Sequence, residues 1–276
     1  MFQFPVLYEA MSVAQNLAFP LRDLGRRERR ARVLEIAGRL GIGPVLEHRP
    51  IDLTLVQKQL TAIGKALVRQ DVSLVLLDEP LTAAEPEHKW QLRQTLKSLQ
   101  ADLGATMIYV THDQTEALTF ADRVSVLHDG SILQTATPQT LVEQPDHEHV
   151  GYFVGTPGMN FIDAVIREGA CWIGSVRLAL VVATDGPCRV GFRPEWAEIS
   201  HTPTDPARAH RVVIQGMRTL TTHRRQAQGL AVAMIGGSEI TTRQSLSGLK
   251  SGEAWLTLDP DRVLCFRDGR RVMRDE

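Results

Sequence analysis

Cysteine is scarce and badly spaced for pairing: the chain holds three, Cys171, Cys188 and Cys265, odd in number and with no CxxC pair among them. That excludes a disulfide framework and fits reduced thiols in the cytosol. Charge of one sign is also lacking, since 31 Lys and Arg stand against 32 Asp and Glu for a formal net of -1. No global field then draws the chain to nucleic acid or to an anionic membrane, which argues against a DNA-binding role. Long apolar runs are missing as well: the longest are strand-sized, and the opening Met1-Phe2-Gln3-Phe4-Pro5 lacks the basic start and apolar core of a signal peptide. The expectation is a soluble cytoplasmic protein with no nucleic-acid partner. Histidine is present in nine copies, but His147 and His149 flank Glu148 with no third ligand nearby. Zinc needs three or four convergent ligands, so this trio reads as a solvated face.

Against these absences stand two short apolar runs that end abruptly in polar residues, Leu74-Val75-Leu76-Leu77-Asp78-Glu79-Pro80 and Met107-Ile108-Tyr109-Val110-Thr111-His112-Asp113. Each is too short for most helices and reads as a buried parallel strand delivering polar groups to a sheet edge. Asp78 and Glu79 then share one strand tip. The first carboxylate suits Mg²⁺ beside a nucleotide, and the second, with no cation of its own, can orient or deprotonate a water. His112, on the neighbouring tip, is within reach of a terminal phosphate. Acids and a histidine also end strands as ordinary solvated loop residues; the match across both strands favours the site.

Composition changes near Gly155-Thr156-Pro157-Gly158, dividing the chain into residues 1–158 and 159–276. Before that point helical patterns alternate with single strands, an α/β signature. Ser12-Val13-Ala14-Gln15 is a capping box, and Glu28 to Leu40 carries Val33, Ile36, Ala37 and Leu40 at helical spacing up to Gly41. The cluster Arg26, Arg27, Arg29, Arg30 and Arg32 has no interleaved aromatics and reads as a solvated helix face. Pro86 to Leu103 is a crossover helix between the two strands, and Val124 to Thr135 a hairpin turning at Asp129-Gly130. Beyond Gly158 the pattern is all β: Ile162 to Ile166, Val176 to Val182, Arg189 to Arg193, Arg211 to Ile214, Leu230 to Ile235, Ala254 to Leu258, and Val263 to Val272 broken at Asp268-Gly269. Regular turns between them predict a small barrel or sandwich. Arg193-Pro194-Glu195 reads as a strand end rather than a site.

Phe2-Gln3, Leu53-Thr54-Leu55-Val56-Gln57, Leu76-Leu77-Asp78-Glu79-Pro80 and Val110-Thr111-His112-Asp113-Gln114 resemble, in order, the Q-loop, signature, Walker B and H-loop of ABC-transporter ATPases. Gly158-Met159-Asn160-Phe161 and Gly191-Phe192-Arg193-Pro194-Glu195 resemble the β-rich TOBE extension of the sugar and polyol importer branch. The resemblance implies an incomplete ABC-type, RecA-like nucleotide-binding domain with a helical subdomain, followed by an OB/TOBE-like β domain. It implies ATP and Mg²⁺ as cofactors, with Gln3 sensing Mg²⁺ and the permease, Asp78 holding Mg²⁺ through water, Glu79 as catalytic base and His112 on the γ-phosphate. It implies transmembrane permease subunits, a second ATPase subunit and, indirectly, a solute-binding protein as partners, at the inner face of the cell membrane.

Three departures qualify that resemblance. No G-x-x-x-x-G-K-[ST] stands in the chain: Gly64-Lys65 has Gln59 at the first glycine position and Ala66 after the lysine, so it reads as mid-helix and not as a phosphate cradle. In the family that loop lies upstream of the Q-loop, and the chain as it stands is expected to bind nucleotide weakly and to be inactive alone. The signature has lost both glycines to Leu55 and Val56, which crowd the close amide approach to a γ-phosphate, leaving Thr54 and Gln57 as its remaining polar residues. Ala84-Glu85 replaces the usual Leu-Asp of the D-loop. The expected protein is one half of an unequal ATPase pair in a carbohydrate or polyol importer, whose partner carries an intact signature. The alternative is a non-hydrolytic pseudo-ATPase serving as regulator or scaffold.

Overall fold

The computed structural model describes residues 4–82, 84–180, 183–203, 205, 208–223 and 226–272. Phe2 and Gln3 lie outside them. The described chain is mixed α/β and divides into two compact units, residues 1–122 and 123–276. That division lies earlier than the compositional change at Gly158.

In the first unit, α1 (Val13–Ala18) opens on the expected capping box: Ser12 Oγ accepts from the Gln15 amide at 3.3 Å, and Gln15 Oε1 accepts from the Ser12 amide at 2.9 Å. Helices α2 (Arg26–Arg39) and α3 (Leu55–Leu67) follow, then β1 (Leu74–Asp78), α4 (Pro86–Leu103), β2 (Thr106–Val110) and α5 (Gln114–Phe120). One apolar core joins Leu17 of α1, Ile36 of α2 and Ile63 of α3 to Val75 and Leu77 of β1 and Leu96 and Leu99 of α4. Gly64 sits where the three helices meet. A Cβ there would stand 2.8 Å from Leu17 Cδ2 and 3.0 Å from Leu40 Cδ1, so the glycine serves helix packing.

Two expectations change here. Arg32 does not belong to the solvated arginine face. It is buried, donates from Nε to the Val68 carbonyl at 2.8 Å and from Nη2 to the Leu67 carbonyl at 3.3 Å, and so satisfies the open carbonyls at the end of α3. The strands β1 and β2 pair in parallel, Leu74 opposite Thr106 through to Asp78 opposite Val110, but only one face is buried. Val75 and Leu77 point into the core while Leu74, Leu76, Ile108 and Val110 are exposed, because among the described residues no layer covers that face. A continuous apolar run cannot distinguish one buried face from two.

The second unit begins with the hairpin β3 (Val124–His128) and β4 (Ser131–Ala136), which turns through Asp129 and Gly130 at φ 46° and 74°. Two short helices follow, α6 (Pro138–Glu143) and α7 (Glu148–Phe153). The strands are then β5 (Asn160–Arg167), β6 (Ala170–Ile173), β7 (Val176–Leu180), β8 (Gly186–Phe192), β9 (Ala197–Ser200), β10 (Ala209–His223), β11 (Gln226–Ile235), β12 (Ser238–Ser245), β13 (Gly252–Leu258), β14 (Leu264–Arg267) and β15 (Arg270–Val272). They form a six-stranded sheet, β15-β14-β8-β5-β6-β7, and a five-stranded sheet, β12-β11-β10-β13-β9. Both contribute to a single core through residues such as Ile166, Val190, Val212 and Leu256. β6, β9 and β12 were not anticipated, since each is short or dominated by Ser, Thr and Glu. β10 is far longer than Arg211 to Ile214, and register shifts after Ile214 and Thr219 absorb its polar continuation. Val181 and Val182 of the expected strand lie outside the described residues.

Two buried polar side chains tie this unit together. Asn160 of β5 donates to the Thr241 carbonyl and accepts from the Thr241 amide, both at 2.8 Å, stapling one sheet to the other across 81 residues of sequence. Arg193, 3% exposed, ends β8 with its guanidinium among main-chain carbonyls: Val142 at 2.9 Å, Gly151 at 2.8 Å, Leu141 at 3.4 Å, and Val154. Burial pushes its pKa down to about 10, still charged at neutral pH. The carbonyls belong to the ends of α6 and α7, so this cation binds both helices to the β-rich unit. Arg193→Leu leaves several buried acceptors without a donor and is expected to cost on the order of 3 kcal/mol, with Arg193→Lys recovering only part. Chemical denaturation followed by circular dichroism measures it, and a loss under about 1 kcal/mol would contradict this role.

Candidate active site

The parallel register of β1 and β2 carries the chain out of both strands at the same end. The Glu79 amide donates to the Val110 carbonyl at 2.9 Å, one residue beyond the last paired position, and Glu79 itself adopts φ 42°. A β-unbranched acid at positive φ is uncommon, and such residues concentrate at functional sites. The conformation turns the Glu79 carboxylate toward the second strand tip, where Oε1 lies 2.8 Å from His112 Nδ1. Thr82 Oγ1 holds the other side of the turn, donating to Glu79 Oε2 at 3.0 Å and to the Glu79 carbonyl at 3.1 Å. Glu79 is thus largely enclosed, while the His112 side chain is 75% exposed and its ring is available to a ligand. The hydrogen bond to Glu79, reinforced by its charge, raises the pKa of His112.

Asp78 ends β1 with its carboxylate exposed next to Glu79. Mg²⁺ keeps several waters and takes one or two carboxylates together with substrate phosphates, so one exposed aspartate at a strand tip is a compatible donor set. Thr54 and Gln57 form a separate pair. They make a capping box at the start of α3, with Thr54 Oγ1 accepting from the Gln57 amide at 3.2 Å and Gln57 Oε1 accepting from the Thr54 amide at 2.9 Å. Leu55 is exposed in the first turn. Lys65 lies in the last turn of α3 rather than mid-helix, its Nζ 4.1 Å from the centre of the Tyr8 ring, and burial lowers its pKa. His147 accepts from the His149 amide at the start of α7, and the His149 ring stacks on His128.

A buried network behind His112 went unread in the sequence. Glu116 of α5 is 2% exposed and accepts from Lys89 Nζ at 2.9 Å, Tyr109 Oη at 2.8 Å and Thr111 Oγ1 at 3.1 Å. Burial, and then the charge and hydrogen bond of Glu116, raise the Tyr109 pKa, while the bond to Glu116 raises that of Lys89. Asp113 caps α5 through the Thr115 and Glu116 amides at 2.9 and 3.2 Å, and its own amide donates to Thr111 Oγ1 at 3.0 Å. Burial pushes the Asp113 carboxyl up, but these amides and Lys89 hold it below the usual carboxylate range. Both residues flanking His112 are therefore pinned. The only signal in the sequence was Glu116 standing in the first turn of a helix, which is ordinary for a solvated acid.

A parallel strand pair with two acids and a histidine at its tips, joined to a β-rich unit, suits a nucleotide-hydrolysing protein. No family model matches the chain. Known proteins do: it is 37% identical to the sn-glycerol-3-phosphate import ATP-binding protein UgpC of Paracoccus denitrificans over 98% of this chain and 77% of that protein. The chain belongs to the family of ATP-binding subunits of ABC importers. It is also 41% identical to the trehalose/maltose import ATP-binding protein MalK of Thermococcus litoralis, over 65% of this chain and 49% of that one. With the UgpC of a Jannaschia species it shares 40% identity over 70% of this chain and 57% of the relative. These last two alignments thus span about half of each relative.

A raised His112 pKa means that the pair's contribution to stability is complete below the ordinary histidine value of 6.5 and is lost as pH rises through the raised folded value. In an NMR titration the His112 midpoint is expected above 6.5, and Glu79→Gln should return it toward that value; an unchanged midpoint in the variant would show that the pair does not form in solution. Glu116→Ala strands three donors and is expected to destabilise the fold by about 2 kcal/mol, with Glu116→Gln milder, as read by urea denaturation.

Proposed function

We propose that the chain works as the ATPase subunit of an ABC importer for a carbohydrate or polyol, coupling ATP binding and hydrolysis to uptake as one half of an unequal pair. The observation that carries this reading is the Glu79–His112 pair across the β1 and β2 tips, 2.8 Å apart beside Asp78. Mg·ATP, when bound, supplies the scissile γ-phosphoryl bond and the charge that the site must neutralise. Asp78, exposed at the tip of β1, would hold the metal. Glu79 accepts a proton from the attacking water, its carboxylate kept in place by Thr82 on one oxygen and His112 on the other. His112 gives its exposed edge to the γ-phosphate. Gln3, outside the described residues, takes the role of Mg²⁺ and permease sensor.

The asymmetry rests on α3. Thr54 and Gln57 spend their side chains on each other, and Leu55 and Val56 stand where a signature helix would bring bare backbone to a phosphate. The nucleotide held by a second ATPase subunit is therefore completed poorly by this chain, whereas the Glu79 site takes its signature from that partner. Permease docking falls to Tyr8 through Leu21. There Asn16, fully buried, bonds the Tyr8 amide and the carbonyls of Tyr8, Met11 and Ser12, giving the loop one shape. The working location is the inner face of the cell membrane, with a solute-binding protein acting through the permease. Relatives named for trehalose/maltose and for sn-glycerol-3-phosphate import support the substrate class.

In an assembled transporter whose subunit also carries a G-x-x-x-x-G-K-[ST] loop upstream of Gln3, Glu79→Gln is expected to lower ATP hydrolysis roughly 10²-fold while nucleotide still binds, because size and hydrogen bonding persist and only the base is lost. The corresponding change in the partner subunit should have little effect, and Leu55→Gly with Val56→Gly should leave the Glu79 site unchanged. Steady-state hydrolysis rates of each single variant decide the matter: equal losses from both subunits would refute the asymmetry, and an undiminished rate for Glu79→Gln would refute the assignment of the base.

A further inference from the structure

Three histidines meet at one corner of the second unit. His128 ends β3, and its ring lies face to face with that of His149 in the first turn of α7, the centroids 3.7 Å apart and the planes inclined by 20°. Phe153, four residues on, lies nearly parallel to His149 at 5.9 Å. The third ring, His147, caps α7: its Nδ1 accepts from the His149 amide at 3.0 Å. The chain at His147 is also bound to the β14–β15 hairpin, through a bridge to Arg270 and through the Glu148 amide, which donates to the Gly269 carbonyl at 2.8 Å. The trio thus joins the β3–β4 hairpin, the start of α7 and β15, and it uses no residue of the Glu79 site.

Each of these contacts needs an uncharged ring. A fully protonated imidazole has no acceptor nitrogen, so His147 cannot cap α7 as a cation. Two stacked rings that both carry charge repel one another at close range. The surrounding charges do not cancel this. Asp129 Oδ2 stands 3.5 Å from His128 Nε2 but is 90% exposed, Asp146 is exposed ahead of the cap, Glu148 is paired with Arg189 of β8, and Arg270 adds a cation opposite His147. Burial, and then the charges of His128 and His147, push the His149 pKa below 6.5, against an opposing pull from Asp129. With a lowered folded value, the contribution to stability is complete above the ordinary 6.5 and is lost as pH falls through the folded value. The far end of α7 is held separately, because Arg193 donates to the carbonyls of Gly151 and Val154. Opening is therefore confined to the first turn.

We propose that His128, His147 and His149 form an acid-released latch, which fastens the β3–β4 hairpin and β15 to the first turn of α7 while the three rings are neutral and lets go when they take up protons. NMR of the full chain between about pH 8 and pH 5 follows the imidazole signals, and amide exchange is read relative to intrinsic rates. The His149 midpoint is expected below 6.5, and His128→Phe, which keeps the stack but removes a charge, should raise it toward that value. Protection of the His149 amide is expected to fall roughly tenfold or more across that range, while the Val154 amide, bonded to the Val150 carbonyl, keeps its protection. His147→Ser retains a capping oxygen that does not titrate, so protection of the His149 amide should no longer depend on pH. A His149 midpoint at or above 6.5, amide protection unchanged by acid, or the same loss in His147→Ser would each overturn the latch. Simultaneous loss at Val154 would overturn it too, since that marks general acid unfolding. Should His128→Phe fail to fold, the wild-type midpoint and the exposed-cap variant His147→Ser still decide between these outcomes.

Discussion

The parallel pairing of β1 with β2 is the constraint on which the candidate site depends. Because Asp78 stands opposite Val110, both strands release their chains at one edge, and the next amide, that of Glu79, is captured by the Val110 carbonyl. That bond holds Glu79 at positive φ. The strained backbone then aims the carboxylate across the gap to His112 instead of along the strand. A shift of one residue in the register would exchange the faces of the strand, putting Leu76 and Asp78 into the core and Leu77 into solvent. The placement of the acid pair and the histidine is thus a consequence of a ladder of main-chain hydrogen bonds.

Buried polar groups do comparable work elsewhere. Glu116 gathers an ammonium, a phenol and a hydroxyl beneath the His112 turn, so the loop that bears the exposed imidazole rests on a rigid base. Arg32 closes the open carbonyls at the end of α3, and Arg193 does the same for α6 and α7. In each case a long charged side chain replaces water at main-chain groups that would otherwise be buried without partners. Asn160 performs the neutral version of this task between the two sheets of the β-rich unit. Among the described residues Gln59 Nε2 and His210 Nε2 are the exceptions, buried nitrogens without a hydrogen-bond partner.

Much of the architecture was legible before the structure because it rests on local rules. The capping box at Ser12, the crossover helix from Pro86 to Leu103 and the Asp129-Gly130 hairpin each depend on neighbours close in sequence, and all are present as read, whereas the capping box at Thr54 was seen only in the structure. Strands β6, β9 and β12 were not, since their polar and small residues hold a strand shape only through pairing with β5, β13 and β11. The acids and the histidine of the site were found by the abrupt end of an apolar run. Thr82 and Glu116 escaped notice because nothing local separates a hydroxyl or an acid in a turn from any other.

By itself, then, the sequence determined where the capped helices and the most apolar strands lie and which residues are candidates for the chemistry, because capping, turns and apolar periodicity are encoded within a few residues. Only the tertiary structure decided which of those residues meet. Glu79 and His112 are 33 positions apart and come together through a parallel register; Arg193 reaches carbonyls about 40 to 50 residues earlier; Arg32 turns from an apparent surface charge into a buried cap. The physical reason is common to all three. The burial of a polar group, and the partner that makes its burial tolerable, depend on distant parts of the chain, and no local pattern records that dependence.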